Sequence, residues 1–395
     1  MNAPDSRRPW QLPAGIDELL PDAAAHVEQL RRRLLDCAAR WGYRLVVPPM
    51  IEYTDSLLVG VGEDLDLLTF KMPDQLSGRM LGLRADMTPQ VARMDAHSLG
   101  GQGINRLCYA GSTLHTRARS LAASRSPLQL GAELYGDSSA AADLEVIELM
   151  LSMFEEAGIG CASLTLDLGH GGLFGPLLEA LGLDNDPLAP RIFDAIQRKS
   201  RPDLEALLEA LPAADRDLLL AFIELQGDVA VLERAADLFG RVPKARIAIE
   251  EVSALVAGLR ERCAVYVDLT ELRGYRYHTG VVFAAYASGL GEALARGGRY
   301  DNVGAVHGRA RPATGFATDL RVLATLLPEA DAASTAIAAP DRGEAGLQNT
   351  IRELRARGET VIVSLGGVRD SRCGRALEWV DGQWQVRSLA NKETT

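Results

Sequence analysis

The stretch Leu83-Arg84-Ala85-Asp86-Met87-Thr88-Pro89-Gln90 breaks the apolar pattern of the chain where a strand gives way to a helix. Residues 80–84 read as a strand, paired with residues 68–72 across the turn-rich Pro73-Asp74-Gln75-Leu76-Ser77-Gly78. Thr88-Pro89 reads as a helix start, Thr88 as N-cap and Pro89 at the first helical position, with the helix running to about Ser98. Asp86 and Thr88 then share a face just ahead of that helix. Three further segments interrupt the pattern in the same way: Gln129-Leu130-Gly131-Ala132-Glu133, Leu272-Arg273-Gly274-Tyr275-Arg276-Tyr277-His278-Thr279-Gly280 and Gly297-Gly298-Arg299-Tyr300-Asp301. Gln129 and Glu133 stand four apart in a strand, which puts both on one face. An amide and carboxylates so grouped suit a small ligand bearing ammonium and imidazole donors. A plainer alternative stays open, in which Asp86 caps a helix and Glu133 pairs with a core arginine.

The elements around these segments follow from period and punctuation. Val27, Leu30, Leu34, Cys37 and Trp41 recur at three and four residues and predict a helix over about 22–41. Gly42 stops it, and residues 43–47 read as a strand ended by Pro48-Pro49. Strands are predicted at 105–111, 128–136, 162–168, 264–269, 280–286 and 293–299, with a helix at 139–156. Composition shifts near Gly171, and from there to about Arg262 the pattern is helical, rich in Leu, Ala, Glu and Arg. Residues 1–327 therefore read as one domain with a helical insertion at about 171–262. A Pro/Ala/Asp/Ser stretch at 328–340 reads as a linker. Residues 341–395 follow as a small C-terminal α/β unit: a helix near 347–357, a strand at 360–365, and a hairpin around Asp381-Gly382. The fold class is α+β.

Composition narrows the function. The chain has 395 residues, 47% hydrophobic and 24% charged, as in an ordinary globular protein. Lys+Arg number 42 against Asp+Glu 53, a formal charge of −11. A protein that grips a phosphate backbone usually shows the opposite balance. No apolar run approaches the roughly 18 residues of a membrane helix, and the start, with Asp5, Arg7, Arg8 and Pro9, lacks the apolar stretch of a signal peptide. The cysteines Cys37, Cys108, Cys161, Cys263 and Cys373 form no Cys-x-x-Cys pair, so reduced thiols and a cytoplasmic location are expected. No phosphate loop or Gly-x-Ser-x-Gly elbow is present, and Gly101-Gln102-Gly103 meets Arg106 where a dinucleotide fingerprint needs glycine. The histidines show no metal-ligand spacing; neither metal nor cofactor is expected.

In this order, the four segments resemble the catalytic core of class II aminoacyl-tRNA synthetases, specifically the histidyl type, over roughly residues 15–327. The fold so implied is an antiparallel sheet flanked by helices. Gly42-Tyr43 and Pro49-Met50-Ile51-Glu52 resemble the first class II motif, which builds a dimer interface. By this resemblance Asp86 and Thr88 hold the α-ammonium of histidine, and Gln129 and Glu133 contact donors of the same ligand. Tyr277, His278 and Tyr300 line the imidazole side, and Arg273 lies near the carboxylate. His278 stands where the family has Tyr, and Arg276 where it has Asp.

The departures fall on the nucleotide side. His115 and Arg117 occupy the positions where a synthetase carries the Arg that grips the ATP α-phosphate and the Glu that reads adenine. Val322 takes the place of the motif 3 arginine, and Asp319 that of a glycine. Losing one such donor typically costs about 3–4 kcal/mol of transition-state stabilisation. The profile resembles the non-catalytic synthetase paralogue that serves as regulatory subunit of ATP phosphoribosyltransferase. That resemblance implies L-histidine as effector, a self-dimer, and a short-form catalytic subunit as partner in a hetero-octamer, with no tRNA and no membrane. A divergent histidyl-tRNA synthetase, or an amino-acid-binding paralogue with another partner, are the alternatives.

Overall fold

The computed structural model describes residues 10–59, 62–118, 120, 123–240, 242–272, 278–327 and 336–389. The chain divides into two compact units, Met1–Leu327 and Pro328–Thr395. In the first, helix α1 (Pro21–Arg40) buries Val27, Leu30, Leu34 and Cys37, one stripe of its 3.6-residue period. β1 (Arg44–Leu45) is shorter than the strand read at 43–47. Val47 is already 80% exposed, and Pro48-Pro49 can donate nothing to a ladder. β2 (Ile51–Tyr53), α2 (Thr54–Leu57), α3 (Glu63–Leu68), β3 (Lys71–Pro73) and β4 (Met80–Leu83) follow, and the three strands form a small sheet ordered β2-β4-β3.

α4 (Thr88–Arg93) continues into a π-helical stretch, Met94–Leu99. Here the expected cap is corrected. Thr88 is the first helical residue and not the N-cap. Its backbone N–H donates to Asp86 Oδ1 at 3.0 Å, so the carboxylate caps, and the Thr88 hydroxyl is left for the site.

β5 (Asn105–Ser112) and β6 (Leu128–Tyr135) form an antiparallel pair, followed by α5 (Ala140–Ala157) and β7 (Leu164–His170). The insertion then runs through α6 (Phe174–Ala180), α7 (Ala189–Gln197), α8 (Arg201–Leu207), α9 (Ala213–Phe222), the short β8 (Gln226–Gly227), α10 (Val231–Phe239) and α11 (Pro243–Leu259). Phe174, Phe222 and Phe239 pack edge to face and stacked within it. β9 (Ala264–Asp268), β10 (Val281–Ala287), β11 (Ala295–Arg299), β12 (Ala313–Asp319) and α12 (Leu320–Thr325) complete the unit.

The main sheet has nine strands in the order β1-β5-β6-β12-β11-β10-β7-β9-β8. Its centre is antiparallel, but β1 runs parallel to β5 and β7 parallel to β9. A parallel pair needs a long crossover, and the helical insertion supplies the one between β7 and β9. Leu130, Ala132 and Leu134 of β6 join Leu30, Leu34, Val146, Met150 and Phe154 of α1 and α5 in the core. The alternate residues of β6 therefore point to the opposite face, which carries the site.

The second unit comprises β13 (Ala336–Pro340), α13 (Ala345–Ala356), β14 (Val361–Ser364), β15 (Cys373–Val380) and β16 (Gln383–Ser388), with strands ordered β14-β13-β15-β16. The end of the predicted linker is thus a central strand, and Ile337 and Ala339 are fully buried. Small residues and a terminal proline suggested a linker, but Pro340 closes the strand, where its missing N–H costs little. Asp381 and Gly382 turn the hairpin with φ of 50° and 79°. Gly382→Ala should therefore destabilise this unit by about 1 kcal/mol, read as an earlier urea transition. An unchanged midpoint would contradict the strained-turn reading.

Among the described residues, no helix is long and apolar enough to cross a membrane. No group of three or more His, Cys, Asp or Glu among them is placed to hold a metal. The cysteines are free and buried.

Candidate functional site

β6 builds the site. Gln129, Gly131 and Glu133 face away from the helices, and the two polar side chains need the glycine between them. A Cβ on Gly131 would run into the Tyr109 phenol and the Phe316 carbonyl oxygen. Gly315, directly across the ladder from Glu133, likewise leaves the space its carboxylate fills. Glu133 is 1% exposed. Its Oε1 accepts hydrogen bonds from Thr88 Oγ1 at 3.0 Å and Tyr109 OH at 2.9 Å, and its Oε2 accepts one from Tyr300 OH. Among the described residues no arginine pairs with it, as the core-arginine alternative would require; Arg276 lies outside them. Burial pushes this carboxyl up to about 8, with nearby Asp86 adding to the rise and the three hydroxyls opposing it.

Gln129 is a brace. Its Nε2 donates to Asp86 Oδ1 at 2.7 Å, and its Oε1 accepts the Met87 N–H at 2.9 Å. Asp86 therefore caps α4 and meets the amide at once, while the Thr88 hydroxyl, 3.0 Å from Tyr109 OH, turns to Glu133. Asp86, Thr88, Gln129 and Glu133 open on one cavity of about 990 Å³, which His278 and Tyr300 also line. Six of the eight residues expected to hold the ligand thus gather on one cavity. Arg273 and Tyr277 lie outside the described residues.

The nucleotide side is built differently from a phosphate clamp. His115 lines the cavity but is buried, its Nε2 2.9 Å from the Ala85 carbonyl oxygen. Val322 also lines it, while Arg117 is exposed and stands outside the lining. Arg125 donates to the carbonyl oxygens of His115 and Ala14, both at 3.0 Å. Arg321 donates to the Asp17 carbonyl at 3.2 Å and lies 3.7 Å from the Asp17 carboxylate. These two arginines are committed to the protein's own oxygens. Asp319 caps α12 by accepting the Arg321 N–H at 3.0 Å, and burial pushes its carboxyl up.

Two elements of the site escaped the sequence reading. Tyr109 sits in the apolar run Leu107-Cys108-Tyr109 and looks like core; only its register opposite Gly131 aims the phenol at Glu133. Arg84 is buried and spans two segments, donating to the carbonyls of Pro48 at 2.7 Å and Ser112 at 2.8 Å. Its position next to Asp86 in the opening segment was the available signal.

Fold and site together define a histidyl-tRNA-synthetase-like core joined to a small accessory unit. Residues 15–323 match the histidyl-tRNA synthetase family, and residues 334–387 match the C-terminal domain of the ATP phosphoribosyltransferase subunit HisZ. The chain is 50% identical over 392 residues to the ATP phosphoribosyltransferase regulatory subunit of Ectopseudomonas mendocina, covering 97% of this chain and 98% of that one. It is 49% identical over 391 residues to the regulatory subunit of Azotobacter vinelandii, covering 96% and 98%. A Bacillus halodurans C structure described as an ATP phosphoribosyltransferase regulatory subunit/histidyl-tRNA synthetase aligns with TM-score 0.80 and 30% identity, over 92% of this chain and 95% of that one. A chain of the HisG:HisZ ATP phosphoribosyl transferase complex of Thermotoga maritima shares the fold, with TM-score 0.57 and 18% identity over 74% and 96%. The chain belongs to the family of ATP phosphoribosyltransferase regulatory subunits, non-catalytic components of histidine biosynthesis.

Proposed function

We propose that the cavity takes free L-histidine as an effector, and that its occupancy restrains a short-form ATP phosphoribosyltransferase catalytic subunit bound to this chain. The complex would perform the first step of histidine biosynthesis, with feedback inhibition entering here. The observation that carries this reading is Glu133: a buried carboxyl surrounded by three hydroxyl donors, facing a cavity, with no cation paired to it among the described residues. Such a group is completed by a ligand that brings its own N–H donor, as an imidazole or ammonium does. In this reading Asp86 and Thr88 receive the α-ammonium, Glu133 an imidazole N–H, and Arg273 the carboxylate. The absence of an arginine at His115 and Val322, and the engagement of Arg125 and Arg321 elsewhere, support sensing without adenylate formation. A self-dimer through the first class II motif, a hetero-octamer with the catalytic subunit, a cytoplasmic location and no tRNA complete the proposal. That a chain of this fold occurs in the Thermotoga HisG:HisZ complex agrees with it.

Affinity purification of the full chain from its own cells tests the partner. The catalytic subunit should co-purify, and histidine should inhibit the complex while the isolated chain supports no histidine-dependent pyrophosphate exchange. Robust exchange, or a chain that brings down no phosphoribosyltransferase, would overturn the proposal.

A further inference from the structure

His170 ends β7 with a buried ring that lies outside the cavity lining. Its Nδ1 accepts the Gly172 N–H at 2.9 Å, which leaves Nε2 as the donor to Glu251 of α11, also at 2.9 Å. That hydrogen bond holds the Glu251 carboxyl below its usual range. The turn that follows His170 backs the cavity. Gly171 donates its N–H to the Gly280 carbonyl at 2.8 Å. A Cβ on Gly171 would lie 3.0 Å from the His278 carbonyl oxygen and 3.4 Å from the His278 Cβ. On the other side, a Cβ on Gly298 of β11 would lie 2.7 Å from His278 Cδ2. His278 lines the cavity and is wedged between this turn and β11.

We propose that His170 is a positioning residue for the cavity: it fixes the Gly171–Gly172 turn, and the turn sets the depth of His278 in the wall. The inference rests on the reading that histidine fills the cavity. The imidazole touches no ligand; it acts through the Gly172 N–H.

The two arms of the ring can be separated. His170→Asn offers an acceptor in the place of Nδ1 and keeps the turn; His170→Gln offers a donor in the place of Nε2 and keeps Glu251. Histidine affinity of the full chain, read by calorimetry, should stay within about twofold of native for His170→Asn and weaken about tenfold for His170→Gln, the effect of one hydrogen bond. Both lose one hydrogen bond, so their melting temperatures should fall alike. Glu251→Ala removes the acceptor, cuts the outer arm with the ring intact and should keep native affinity, which covers the case of poorly folding His170 variants. Equal affinities for the two His170 variants, affinities that follow melting temperature, or weakened binding in Glu251→Ala overturn the proposal. A native chain that takes up no histidine overturns the effector reading, and this inference with it.

Discussion

Replacing Glu133 with glutamine weakens histidine binding roughly 10- to 100-fold, the range of a lost charge-assisted hydrogen bond, and flattens its pH dependence. The native carboxyl, raised to about 8, is protonated in the empty cavity at neutral pH, whereas the ligand's N–H needs it ionised. Binding below about pH 8 therefore releases a proton, and affinity rises by up to about tenfold per unit as pH climbs toward 8, then levels. Between about pH 7 and 8.5 free histidine keeps a charged ammonium and a neutral imidazole, so the slope reports the protein. The stability sign is opposite. Because the folded-state value lies above the 4.5 of an unperturbed glutamate, the stabilisation from this group is full below about 4.5 and is lost as pH rises through about 8. Calorimetry in two buffers of different ionisation enthalpy checks the proton count. A native affinity that is flat over this range would sink the assignment of Glu133.

Arg299→Met carries the largest expected loss of stability, about 3–5 kcal/mol, because it strands a buried carboxylate. Arg299 of β11 is 5% exposed and Asp143 of α5 is 3% exposed. The guanidinium donates to Asp143 at 3.1 Å and to the carbonyls of Asp137 and Ser139 at 3.0 and 3.2 Å. It also reaches Asp301 at 3.2 Å, so one side chain ties the start of α5 to the residue that follows Tyr300. Burial pushes the Asp143 carboxyl up even with its partner present. The double variant Arg299→Met, Asp143→Leu should recover most of the loss, since a well-packed apolar pair often replaces a buried ion pair at little cost. Urea unfolding of the full chain measures both. A single variant within about 1 kcal/mol of native would contradict the role given to this pair.

Much of this was legible in the sequence because it rests on period. The stripe of α1, the alternation of β6 and the helical run of the insertion are one-dimensional signals of burial. The placement of Gln129 and Glu133 on one face followed from the period-two rule, and the Asp381-Gly382 hairpin from turn chemistry. What was not legible depends on partners distant in the chain. Tyr109 looks like any buried aromatic until β5 is laid beside β6. The sequence offers both Thr88 and Asp86 as caps, and the choice falls on Asp86 because Glu133, on another strand, takes the threonine hydroxyl. The parallel pairing of β1 with β5 and β7 with β9 leaves no local trace. Ala336–Pro340 is too small in side-chain volume to announce a strand, and is one because its neighbours bury it.

The central claim is that histidine in this cavity and catalysis in the partner are coupled. Calorimetric titration of histidine into the isolated chain, and into the reconstituted complex with and without saturating partner substrates, tests it most directly. Coupling is reciprocal, so substrates should weaken histidine binding to the complex by about 5- to 150-fold. Identical histidine affinity with and without substrates would contradict it.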